Sequence, residues 1–142
     1  MREHHDSIVR HGVTIVPVVP TNSAQIKQFL HVYGPYPFDI LGDPQQVAYK
    51  TLGLRHVSVG KSLKVMTEYL LTGRIREIFP KDKEQMKIIK KSMTSQDVYQ
   101  LGGTWLIEKT GEILWQHVDA DPTDYVKIPQ LLKILEEFKP LW

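Results

Sequence analysis

The order of apolar and polar positions along the chain predicts a mixed α/β protein. The apolar, β-branched run Val13–Val19 is typical of a strand covered on both faces, as in a parallel sheet. Before it, residues 3–11 predict a short polar helix that Gly12 ends. After it, Asn22 is a good cap for an amphipathic helix over residues 24–33.

The next two elements continue the alternation of strands and helices. Phe38–Leu41 predicts a short strand, and Asp43 with Pro44 predicts the capped start of a helix that Gly53 ends. Residues 59–92 break the alternation, and their two apolar stretches predict a helical insertion.

The C-terminal part predicts a β-hairpin followed by a helix. Residues 104–108 and 113–118 are the two strands, joined by a turn with Gly111 at a position suited to positive φ. We expect Trp105 and Trp115 to face each other across this hairpin. A final amphipathic helix is predicted over 129–139, and the order α-β-α-β-α-(αα)-β-β-α favours one α/β domain over residues 1–142.

Composition and charge exclude several classes of function. The 142 residues include no cysteine, which excludes a disulfide framework, a thiolate zinc site and a cysteine nucleophile. The net charge of +2 gives no reason to expect nucleic-acid binding. The chain has neither an apolar run of membrane-spanning length nor a signal-peptide core at its N-terminus. We therefore expect a cytoplasmic protein with no membrane partner.

Two clusters of polar residues are candidate ligand sites. His4, His5, Asp6 and His11 could bind a divalent metal, but ligands at adjacent helix positions point apart, so a solvated helix face is the favoured interpretation. The loop Asp119–Asp124 faintly resembles a calcium loop but lacks the central Gly and the bidentate Glu. We expect an ordinary turn there, with an Asp or Thr capping the final helix. The remaining histidines are isolated and predict surface or partly satisfied side chains: His31, His56 and His117.

Three stretches of the chain resemble a known family. They are HGVTIVPVVPTNSAQIKQFLHVYG, YPFDILGDPQQVAYKTLGL and QLGGTWLIEKTGEILWQHVDADPTDYVKIPQLLKIL. They are similar to the peroxiredoxin-like branch of the alkyl hydroperoxide reductase / thiol-specific antioxidant (AhpC/TSA) superfamily. The resemblance covers most of residues 2–58 and 96–136 and implies a thioredoxin-like mixed sheet flanked by helices.

The resemblance also implies a pocket. In a thioredoxin-like plan, Thr21 and Asn22 follow one strand, and Gly103 and Thr104 start another, beside the family's reactive cysteine. Arg2 would add positive charge there. The resemblance implies no cofactor.

The reactive cysteine itself is missing from this sequence. In the family a strand and a Cys-x-x-Cys motif come before a helix that Arg2 and the residues after it resemble, so the motif would fall just before or at Met1. We expect an N-terminally truncated family member without catalytic activity. Because the missing strand is interior in the family, we also expect a homodimer, joined near the N-terminal helix or the exposed strand edge.

Three functions remain open from the sequence. The first is an antioxidant or redox family protein whose cysteine-free chain is inactive in peroxide or disulfide chemistry. The second is a non-catalytic thioredoxin-fold binding or scaffold protein. The third is a metal-binding protein that uses the N-terminal histidines.

Overall fold

The computed structural model describes residues 1–56 and 100–138, together with Thr67 and Met86, and shows helices with small sheets. A 3-10 turn at Arg2–His4 precedes the first helix. The helices are α1 His5–Val9, α2 Ser23–Tyr33, α3 Val47–Thr51 and α4 Ile128–Phe138. The strands are β1 Val18–Val19, β2 Leu41–Gly42, β3 Gly103–Ile107 and β4 Ile113–Val118.

The first strand is shorter and less covered than its sequence predicts. Only Val18 and Val19 pair, in parallel, with Leu41 and Gly42 of β2. Burial alternates along residues 13–19, and Val16 is 54% exposed, so the expectation of cover on both faces is wrong. The other side of the run is covered, because Val13 and Ile15 pack against the hydrophobic core.

The two edges of β1 differ in their hydrogen bonding. Pro17 and Val19 turn their carbonyl groups toward β2, where they accept from the amides of Leu41 and Asp43 at 2.8 Å. Successive residues of a strand point their backbone groups to opposite edges, so Val18 points to the outer edge. There its carbonyl accepts a hydrogen bond from the Tyr49 hydroxyl at 3.0 Å.

Helix α3 begins later than the sequence predicts. The carboxylate of Asp43 does cap it, because it accepts from the amides of Val47 and Ala48 at 2.8 Å each. Pro44 does not occupy the first helical position, however. It lies in a turn, and Gln46 adopts a left-handed conformation with φ 55° before the helix starts.

Strands β3 and β4 form an antiparallel hairpin that is separate from the β1–β2 pair within the described residues. The turn carries Gly111 at φ 92°, as its sequence predicts. Trp105 pairs with Gln116, and Leu106 pairs with Trp115. Directly opposed residues share a face and successive residues alternate, so the two tryptophans lie on opposite faces and the prediction that they face each other is wrong.

The final helix forms the largest part of the described core. Leu131 and Leu135 of α4 are buried against Ile8 of α1, and Leu135 is only 1% exposed. The predicted amphipathic pattern is thus confirmed. The helix begins at Ile128, and the Asp124 carboxylate accepts from the amide of Ala120 within the preceding loop. Capping of this helix by an Asp or Thr of the loop stays a prediction.

Two further predictions concern the insertion and membrane spans. The insertion predicted over residues 59–92 lies outside the described residues, except for Thr67 and Met86, which are both helical. Among the described residues, no helix combines the length and the apolar character that crossing a membrane requires.

Candidate functional site

Two residues of the expected pocket lie at the N-terminal end of α2. Asn22 caps the helix, because its Oδ1 accepts from the amide of Gln25 at 3.0 Å. The Thr21 side chain is 7% exposed, and its hydroxyl donates to the Gln25 side chain. Both side chains are therefore engaged in holding the β1–α2 turn.

The other two pocket residues begin the hairpin. A Cβ at Gly103 would lie 2.5 Å from the ring of Trp105 and 2.7 Å from the carbonyl oxygen of His117. Only glycine fits this close approach of ring and backbone. Thr104 is half-buried and pairs with His117 across the hairpin.

Arg2 lies at the opposite end of α2. Its Nη1 donates to the carbonyl of Tyr33, the last residue of the helix, at 2.6 Å, and its guanidinium carbon is 5.0 Å from the centroid of the Tyr36 ring. Because α2 rises roughly 1.5 Å per residue, roughly 16 Å of helix separates this guanidinium from Asn22. The structure therefore does not bring Arg2 together with Thr21 and Asn22.

A histidine and three aspartates converge just after β4. The Nε2 of His117 is 3.0 Å from the carbonyl oxygen of Asp124, 3.4 Å from its Oδ1, and 3.6 Å from Oδ1 of Asp119. A carbonyl oxygen can only accept, so Nε2 donates in this contact. The loop is further closed by the Ala120 amide donating to Asp124 and by the Thr123 amide donating to Asp121, both at 2.8 Å.

Two ionisable groups have perturbed pKa values, Asp119 of this cluster and Tyr49 of α3. Burial raises the pKa of Asp119; the His117 ring opposes this effect, and the carboxylates of Asp124 and Asp121 add to it. Burial also raises the pKa of Tyr49, and the nearby Asp43 carboxylate raises it further. Both perturbations make the charged form less favourable.

The N-terminal histidines do not assemble into a metal site. His5 Nδ1 is 3.0 Å from Oδ1 of Asp6, and the His5 ring packs 6.1 Å from the ring of Phe38. Throughout residues 1–56 and 100–138, no group of three or more potential ligands could hold a metal ion. The metal-binding alternative therefore gains no support.

The chemistry available to the expected pocket is limited. Thiol-dependent peroxide reduction needs a thiolate that becomes sulfenic acid, and the chain has no cysteine. The hydroxyl of Thr21 donates to an amide oxygen, not to a general base. These residues do not form an activated nucleophile.

Sequence reasoning missed two features. One is a row of neighbouring rings, with centroids 4.9–5.7 Å apart, formed by Phe29, Tyr33, Tyr36 and Phe38. Its signal is an i, i+4 aromatic pair on a helix followed by aromatics that alternate with prolines. The other is the His117 cluster, where strand periodicity already places His117 and Asp119 on one side of the chain.

Most of the chain is similar to one known protein family. The family model described as AhpC/TSA antioxidant enzyme matches residues 1–121. No curated protein and no solved structure matches the chain. The matched region contains α1, both strand pairs and the residues of the expected pocket. It covers most of the sequence, so the chain belongs to the AhpC/TSA antioxidant enzyme family.

Proposed function

We propose that this chain is an AhpC/TSA redox-family protein that does not itself turn over peroxides or disulfides. The observation that carries the proposal is the absence of cysteine from all 142 residues of a chain whose family model matches residues 1–121. The family reaction passes through a thiolate, and no other side chain of this chain can replace it.

A peroxide-consumption assay tests this proposal. The purified 142-residue chain is mixed with hydrogen peroxide and excess dithiothreitol, with an active peroxiredoxin assayed in parallel. Its 4 methionines can each be oxidised once, so we expect consumption to stop at no more than about four equivalents above the blank. Sustained consumption over tens of equivalents would overturn the proposal.

We further propose that the domain keeps the family's thioredoxin-like plan over residues 1–142. Thr21 and Asn22 would then line a remnant of the family pocket with Gly103 and Thr104. The short parallel pair β1–β2 and the antiparallel hairpin β3–β4 are compatible with two parts of such a mixed sheet. Arg2, at the far end of α2, is not needed for this remnant.

A role as a binding or scaffold protein is the second candidate. It is favoured by exposed apolar side chains in the first sheet and in the segment before it: Val18 and Leu41 of the sheet are 37% and 50% exposed, and Val16 is 54% exposed. Apolar surface of this kind is typical of an interaction site.

We propose that a second copy of the chain covers the outer edge of this strand. Along Val13–Val16, no backbone hydrogen bond to another strand occurs within the described residues. Pro17, which has no N–H, is turned toward β2, so the outer edge keeps the donors of Thr14 and Val16. The segment 12–22 is also uncharged, so it lacks the charged side chains that usually protect an open edge.

A further inference from the structure

An open pocket lies at the C-terminal end of α2, at the far end of the helix from Thr21 and Asn22. Its volume is about 780 Å³, which is within the range of small-molecule sites. Most of its wall is apolar or aromatic and comes from the end of the helix and the loop after it: Leu30, Tyr36, Phe38, Ile40 and Leu41. It can therefore shelter the apolar body of a ligand.

One carboxylate in the pocket wall has no partner. Asp39 is exposed, and it makes no hydrogen bond or ion pair within the part of the chain that the structure describes. The wall also contains one histidine, His31, which is exposed. Asp39 is thus the carboxylate that a ligand in this pocket would meet.

Two further features of the pocket favour a positive charge. The pocket borders the last turn of α2, where the unpaired carbonyl groups carry partial negative charge. Tyr36 and Phe38 contribute aromatic rings, whose faces attract cations. Each effect alone is small, but both attract a cation, as the carboxylate of Asp39 does.

The chain itself already places a cation beside this wall. The Arg2 guanidinium lies 5.0 Å from the centroid of Tyr36 and donates to the Tyr33 carbonyl at 2.6 Å. Arg2 is not part of the pocket wall and is exposed, so solvent screens its repulsion of a second cation. It contacts the Tyr36 ring and the Tyr33 carbonyl, but not the Phe38 ring, and Asp39 has no ion-pair partner within the described residues.

We infer that this pocket binds a small organic cation, with its apolar part against Leu30, Phe38 and Ile40 and its charge beside Asp39. This site is separate from the thiol chemistry of the family. Its failure would leave the peroxide prediction unchanged, and the reverse also holds.

Binding of choline and of its uncharged isostere 3,3-dimethylbutan-1-ol to the full chain tests the inference. Titration at pH 8, followed by NMR, should give saturable shifts at Tyr36, Phe38 and Asp39 with choline. We expect the isostere to bind at least fivefold more weakly, because it has the same shape without the charge. Equal affinity for the two compounds, or no saturable shift with 20 mM choline, would overturn the inference.

Two matched variants locate the charge. Asp39→Asn should weaken choline binding at least threefold and leave binding of the isostere unchanged, since it removes only the carboxylate charge. Glu136→Gln, which removes an exposed carboxylate of α4, should leave choline affinity within experimental error. Unchanged choline affinity in Asp39→Asn, or an equal loss in both variants, would reject Asp39 as the anionic partner and with it the proposed site.

Discussion

A single hydroxyl group links helix α3 to the first strand. Tyr49 donates to the Val18 carbonyl at 3.0 Å, and its own helix is anchored by the Asp43 cap. The ring is half-buried, and burial together with Asp43 raises the pKa of the hydroxyl, which therefore stays protonated as a donor at neutral pH.

Tyr49→Phe removes this hydrogen bond while keeping the ring. We expect the free energy of unfolding to fall by about 1 kcal/mol, as measured by urea denaturation, because the Val18 carbonyl loses its partner. Tyr125→Phe is the matched control, since Tyr125 is 61% exposed and its hydroxyl has no hydrogen bond within the described residues. An equal effect of the two variants would contradict a structural role for the Tyr49 hydroxyl.

Asp119 makes stability depend on pH. The pKa of this carboxyl in the folded chain is raised above its ordinary value of about 4, and burial is the largest cause of the increase. The folded state then binds the proton more tightly than the unfolded state. The resulting stabilisation is complete at low pH and is lost as pH rises through the raised folded pKa.

Asp119→Asn removes this dependence. Relative to the parent chain, we expect the variant to gain stability as pH rises from about 4 to neutral, measured by urea denaturation at each pH. The exposed Asp39→Asn serves as a control for loss of one carboxylate. If Asp119→Asn instead loses stability relative to the parent as pH rises, the His117 contact at 3.6 Å outweighs burial.

At the scale of elements, the sequence predicts best where local chemistry decides. The Asn22 cap, the Gly12 and Gly53 helix ends and the Gly111 turn are all found, because each depends on neighbouring residues alone. The length of β1 and the exposure of Val16 depend on which elements pack against this segment. The apolar character of residues 13–19 alone does not specify those neighbours. The positions of Trp105 and Trp115 on opposite faces follow from the register of the hairpin, which the aromatic pattern alone does not specify.

Gly103 gives a test of the hairpin. Gly103→Ala should lower the free energy of unfolding by about 1–3 kcal/mol and shift tryptophan fluorescence, because the new methyl group meets the Trp105 ring and a backbone oxygen. Gly102→Ala is the milder control, since its Cβ would meet only the Asp119 carboxylate, at 3.1 Å. A larger loss for Gly102→Ala would show that the close contact at Gly103 is not limiting.

At the scale of the whole molecule, the core joins the two ends of the chain. Ile8 near the N-terminus is 2% exposed against Leu131 and Leu135 of α4, so α1 and α4 stabilise each other. Apolar periodicity predicts the buried stripe of α4, but not its partner, because contacts distant in sequence leave no local pattern. The residues expected to line the family pocket show the same difference between local and distant contacts. Asn22 caps α2 as its sequence predicts, because that contact is local. The position of Arg2 depends on how the 3-10 turn before α1 packs against the end of α2, which is a contact distant in sequence.

The proposed pairing of two copies predicts a concentration-dependent dimer. Light scattering after size exclusion should give twice the 16.4 kDa of one chain. Val16→Lys should shift the dimer to monomer, because a charge at this exposed position just before β1 opposes pairing with another strand. Ile113→Lys, at an exposed position of β4, should remain dimeric. A parent chain that stays monomeric at all concentrations would exclude the dimer, and dissociation by Ile113→Lys alone would place the interface elsewhere.

In the proposed dimer, Pro17 determines which edge of the first sheet the second copy would use. A proline in a strand interrupts hydrogen bonding on one side only, and here that side faces β2. The pairing with β2 therefore has one backbone donor fewer. A strand of the second copy would instead meet the backbone donors of Thr14 and Val16, with no proline between them. Tyr49 limits this pairing at Val18, since an added strand must compete there with a bond already made within the chain. Pro17 and Tyr49 together would limit the added strand of the second copy to the outer edge and to the residues before Val18.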